Sequence, residues 1–190
     1  MQSRYLITAS AALIALAGCS KHDNADNSMA ADTNIAIDDG NQVNEAAAMP
    51  TDAQGFVNAA AASDRFEIES SKQAATAASS PAVKKFAATM VSDHTASTTK
   101  LKSIAGGMNP AVTPDDSPAA DQQQLMSSLA GKTGADFDQA YAAAQVTAHQ
   151  KALDMLKNYS ASGDNQALKD FANQVIPKVT AHLNMAKGLK

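Results

Sequence analysis

The chain predicts an all-α fold: an antiparallel four-helix bundle with a short extra helix between its second and third long helices. Three observations carry this. Ala supplies 42 of the 190 residues, whereas aromatics make up 4%, with five Phe, three Tyr and no Trp, which suits close helix packing. Between residues 52 and 190, apolar side chains recur at three- and four-residue steps in four long stretches. Val, Ile and Thr are too sparse for a β-sandwich, and no alternating βα pattern suggests a doubly wound sheet.

The first segment is an address. Arg4 precedes the apolar run Leu6 to Leu16, too short to span a bilayer permanently and suited to a secretory signal over 1–18. It ends in Leu16-Ala17-Gly18-Cys19, which resembles the lipobox of bacterial lipoproteins. On that resemblance Cys19 is acylated and becomes the mature N-terminus; the alternative is an ordinary signal with an incidental Cys. Ser20 following Cys19 resembles the class sorted to the outer membrane, which implies a protein anchored on its periplasmic face. Cys19 is the only cysteine, so the domain contains no disulfide. Residues 19–51 combine the acylated Cys with an Asp-, Asn-, Ala- and Ser-rich stretch without periodicity, expected to be a disordered tether with a reach on the order of 30 Å. His22 in it reads as a solvated side chain.

The bundle domain is expected over 52–190. Its first helix, 52 to about 78, carries Phe56, Ala60, Ser63, Glu67, Ser70 and Ala74 on one stripe, flanked by Val57 and Ile68. Ser79-Ser80-Pro81 stops it and starts the second, because Ser80 suits an N-cap and Pro81 lacks only an N–H that would have no partner there. The second stripe is Val83, Phe86, Ala87, Met90, His94, Leu101 and Ile104, ended by Gly106-Gly107. A Pro-containing connection leads to a short amphipathic turn at Leu125, Met126 and Leu129, closed by Gly131. The third long helix opens near Ala135 and carries Phe137, Tyr141, Gln145, His149, Ala152 and Leu156. After Ser162-Gly163-Asp164, the fourth shows Leu168, Phe171, Val175, Val179, His182 and Leu189, with Pro177 expected to kink it. Short links after the first and third helices predict antiparallel neighbours.

Ionisable residues on these apolar stripes are the informative ones, since burying them without partners is costly. His94, His149 and His182 lie one on each of three helices, and Glu67 on the remaining one. If the first helix's start and the last helix's end share one end of the bundle, Glu67 and His149 lie about 22 Å deep, His94 about 17 Å and His182 about 10 Å. This predicts a central set, Glu67, His94 and His149, able to hold one transition-metal ion (zinc, copper or iron), and a separate polar cluster of Asp138, Tyr141 and His182. Asp93 is expected to face water, the alternative being that it anchors a neighbouring helix. Met90 and Met185 near the histidines raise soft copper ligation, against their usual role as core filler.

At these residues a resemblance becomes specific. Phe56-Val57, Phe66-Glu67-Ile68-Glu69, Val83-Lys84-Lys85-Phe86-Ala87, Met90-Val91-Ser92-Asp93-His94, Phe137-Asp138-Gln139-Ala140-Tyr141, His149-Gln150, Ile176-Pro177 and His182-Leu183 resemble, in order, the motifs of the domain-of-unknown-function 4142 family. The resemblance implies a ferritin-like bundle in an exported protein and implies no activity. Ferritin-like di-iron sites need glutamates on all four helices, and the second, third and fourth long helices here have none.

A net charge of −4 argues against a nucleic-acid partner. No Ser-His-Asp arrangement, Gly-rich phosphate loop or catalytic carboxylate pair is present, so hydrolase and nucleotide chemistry lack support. Two functional readings compete. One is a non-enzymatic, lipid-tethered binding or stress-tolerance protein acting on an envelope partner, with an inward polar network that fixes helix register. The other is a mononuclear metal storage or buffering module using Glu67, His94 and His149.

Overall fold

The computed structural model describes residues 49–189; the signal segment 1–18, Cys19, His22 and the tether up to 48 lie outside the described residues. Among the described residues there are five helices and no strand: α1 (Ala53–Ala77), α2 (Pro81–Gly106), α3 (Ala120–Leu129), α4 (Gly134–Ser162) and α5 (Gln166–Lys187). Their ends follow local chemistry. The Asp52 carboxylate accepts from the Gly55 N–H at 2.8 Å and the Asn165 side chain from the Leu168 N–H at 3.1 Å, so α1 and α5 begin on side-chain caps. Pro81 occupies the first turn of α2. Gly131, at φ 70°, turns the chain after α3 through the left-handed region that glycine tolerates. α5 runs unbroken across Pro177.

Chain direction is set by two clasps at opposite ends. The Asp164 N–H, just past α4, donates to the Thr51 carbonyl, just before α1, at 3.0 Å. At the other end Ala78, after α1, pairs with Gly134, the first residue of α4. Hence α4 runs antiparallel to α1. The short links 78–80 and 163–165 join tightly packed pairs, α1 with α2 and α4 with α5, so α2 and α4 run one way and α1 and α5 the other.

The connection 107–133 must therefore climb the whole bundle. It does so along α1: Gln54 Nε2 donates to the Thr113 carbonyl at 2.9 Å, Arg65 pairs with Asp116 at 3.2 Å, and Gln73 Nε2 reaches the Leu129 carbonyl at 3.4 Å. The fold is the expected four-helix bundle with a short helix in its long connection, and the senses of α4 and α5 are both the reverse of those the expected depths assume.

Two apolar clusters fill the core. One gathers Phe56, Leu101, Tyr159, Leu168 and Phe171; the other gathers Phe66, Phe86, Met90, Phe137 and Tyr141. Along each long helix buried ionisable side chains, Asp64 and Glu67, His94, His149 and His182, fall close to where one cluster gives way to the other, whereas the buried Asp138 lies near the end of α4. A polar layer thus divides the core at mid-height.

Candidate metal centre

Three helices supply the centre of this layer. His94 on α2, His149 on α4 and His182 on α5 are all buried, with ring centroids 5.5–5.7 Å apart. The expected separation of His182 from the other two is corrected. Because α5 runs with α1, His182 stands about 24 Å from the end where α5 begins, level with its neighbours. His149 lies mid-helix and keeps its depth whichever way α4 runs, which is why only His182 moves.

Each ring is oriented by one nitrogen. His94 Nδ1 donates to Asp64 Oδ1 at 2.8 Å, His149 Nδ1 to the Gln145 carbonyl at 2.9 Å, and His182 Nε2 to Asp93 Oδ2 at 2.9 Å. The acceptors set the tautomers and leave His94 Nε2, His149 Nε2 and His182 Nδ1 buried without a hydrogen-bond partner. One nitrogen from each ring lies within 4.8 Å of the others. Tetrahedral imidazole ligands of a zinc-sized ion stand about 3.3 Å apart, so a modest closing of the rings would bring them to bonding distance. A polar atom buried without a partner is costly, and three at one point form a ready donor set. Carboxylate or carbonyl behind each imidazole is the outer arrangement that orients metal-binding histidines.

Burial, reinforced by the charge of His94, pushes His149 down to about 3. Burial likewise lowers His182, against the opposing pull of Asp93. Both are thereby held in the neutral form a metal requires. For His94 burial also opposes protonation, but the Asp64 hydrogen bond and the Glu67 charge outweigh it and raise its pKa.

Glu67 belongs to the layer in a different position. Its Oε1 is 3.4 Å from His149 Nδ1, the nitrogen already committed to Gln145, and its Oε2 has no partner. Burial raises its pKa to about 7. The structure brings Glu67, His94 and His149 into one layer, with Glu67 beside the anchored nitrogen of His149.

The second expected cluster does not form. Asp138 lies at the bundle end, where it accepts from the backbone N–H groups of Ser79 and Ser80 at 3.1 and 2.9 Å and holds the link that leads into α2. The Tyr141 hydroxyl bonds Ser71 Oγ at 2.6 Å. His182 pairs instead with Asp93, which does not simply face water: its other oxygen holds Lys178 Nζ at 2.9 Å. Met90 packs among Phe86 and its neighbours, and Met185 is 45% exposed, so neither stands as a soft ligand here. Asp64 is the residue the sequence reading missed. Its signal was its position three residues before Glu67, which puts the two on one helix face.

Between α2 and α5 a cleft of about 230 Å³ reaches the centre, with His94 and His182 in its lining. Of the four neighbouring pairs of long helices, these two pack least tightly.

Residues 39–189 match the family described as Domain of unknown function (DUF4142), and the chain belongs to it. No curated protein matches. Among solved structures the fold is similar to "CopM in the Cu(II)-bound form", at 17% identity and TM-score 0.62, covering 72% of this chain and 94% of that one. It is also similar to "CopM in the Cu(I)-bound form", at 19% identity, TM-score 0.60, and 72% and 93% coverage. For "CopM in the apo form" the values are 20%, 0.57, and 72% and 94%.

Proposed function

We propose that this DUF4142 chain is a metal-binding module that holds one copper ion between His94, His149 and His182, with Asp64, the Gln145 carbonyl and Asp93 as orienting partners. The observation that carries the reading is the convergence of three buried imidazoles, one nitrogen of each within 4.8 Å of the others, each ring keeping one nitrogen without a partner. Imidazole suits copper and zinc, and the affinity of nitrogen sites for divalent first-row ions peaks at copper. The copper-bound forms named among proteins of similar fold support the same choice. Storage or buffering requires only the ligand set itself and no substrate. The chain is further proposed to act in the bacterial envelope, anchored through lipid on Cys19 to the periplasmic face of the outer membrane; Cys19→Ala should release it from the membrane fraction, and continued association would refute the anchor.

The test of the metal site is elemental analysis of the full chain, purified without a histidine tag and incubated with copper, zinc or iron salts, beside His149→Ala. One equivalent of copper in the wild type, lost in the variant, is expected. Chelator should then lower the stability of the loaded wild type alone, by about 2.7 kcal/mol if free ion stood at a hundred times Kd. A wild type that stays metal-free would assign the imidazoles to the competing role, a hydrogen-bond network that fixes helix register.

A further inference from the structure

The protein offers three nitrogen donors where copper(II), the oxidation state with visible absorption, and zinc take at least four ligands. Among the described residues no fourth His, Cys, Asp or Glu joins the set, and Glu67 sits beside the wrong nitrogen of His149. The remaining position is open to the α2–α5 cleft, since His94 and His182 form part of its wall.

That cleft has a distinct chemistry. Its walls include Ala60, Leu156, Phe171, Val175 and Val179, and Lys100 and Lys178 also line it. Lys178 is neutralised by Asp93. Lys100 bonds Gln174 and has no carboxylate partner among the described residues. The surroundings reinforce it: α2 and α5 carry seven lysines against Asp93 and Asp170, a formal +5, on a chain whose net charge is −4. Asp64 lines the cleft too, paired with His94, so the formal charges of the lining balance, and it is a metal ion on three neutral imidazoles, together with Lys100 and the apolar walls, that selects against a cationic or strongly hydrated ligand.

Resting on the metal reading above, we infer that the fourth ligand is a small carboxylate with a short apolar body, bound in the α2–α5 cleft with an oxygen on the metal and its charge facing Lys100. The volume of about 230 Å³ accommodates such a molecule. The buried ring nitrogens exclude a donor that cannot enter the cleft.

The test is titration of the copper-loaded full chain with formate, acetate and butyrate, following the visible copper absorption, after copper stoichiometry has been measured. A saturable spectral shift is expected, with affinity rising about fourfold for each added methylene that is buried. Lys100→Glu should weaken butyrate by roughly three- to tenfold at low salt, and Lys72→Glu, the same charge change on α1, should leave it unchanged. A response equal for all three acids, or insensitive to Lys100, would overturn the inference while leaving the copper site standing. A wild type that binds no copper would instead remove the metal reading on which it rests.

Discussion

His182 and Asp93 meet across the seam between α2 and α5, with Nε2 and Oδ2 2.9 Å apart, and this contact commits Nε2 and leaves the buried Nδ1 of His182 without a partner. Replacing Asp93 by Asn would place an amide donor against Nε2 and favour the tautomer that protonates Nδ1, blocking it as a ligand. Asp93→Asn is therefore expected to lower copper affinity about 10- to 100-fold in a competition titration. Wild-type affinity would mean that Asp93 serves only the surface pair with Lys178.

Glu67 and His149 oppose each other in the pH dependence of the metal-free protein. The Glu67 carboxyl, held up at about 7 by burial, favours folding most below its ordinary value near 4.5, and that contribution is lost as pH rises through 7. His149, held down at about 3, acts in the other direction: its contribution is present above pH 6.5 and is lost as pH falls toward 3. Urea midpoints of metal-free Glu67→Gln between pH 5 and 8 should lack the alkaline decline, worth on the order of 3 kcal/mol in the wild type, and keep the acid limb. An unchanged alkaline decline would show that Glu67 is already ionised in the fold.

Asp138, near the start of α4, holds the α1–α2 link through the Ser79 and Ser80 N–H groups, away from the histidines. Asp138→Ala leaves the Ser79 and Ser80 N–H groups without their acceptor and should cost about 1–3 kcal/mol in urea unfolding. Copper stoichiometry should not change; a loss of copper would join that link to the centre.

A Cβ at Gly163 would stand 2.5 Å from the Tyr159 ring, which stacks on Phe56 at 3.9 Å between centroids and donates its hydroxyl proton to Asp164 at 2.9 Å. With its ring held on both sides, Tyr159 has little room to yield. Gly163→Ala is expected to destabilise by about 1–3 kcal/mol through overpacking, seen as a lower Tm; an unchanged Tm would mean that the ring shifts freely.

Helix limits were legible because their punctuation is local. Ser80-Pro81, Gly106-Gly107 and Ser162-Gly163 mark chain breaks within a residue or two of where the helices stop. Helix sense was not, because the length of 107–133 does not say whether it turns back at once or climbs the bundle; the clasps of Thr51 with Asp164 and Ala78 with Gly134 decide it through space. His182 was misplaced for that reason, while Glu67, His94 and His149, all near mid-helix, were not. The partners of the imidazoles were hidden for a second reason. Asp64 and Asp93 look like surface acids on a helix until the neighbouring helix is in place, since a carboxylate on a flank acquires meaning only from what faces it.

The three imidazoles sit on α2, α4 and α5, and the last of them belongs to the final helix. A chain still lacking α5, or carrying it undocked, has at most two of the three nitrogens in position. Capture of an ion would then report that folding has reached its last step, and a bound ion would in turn hold α5 against the helices that preceded it.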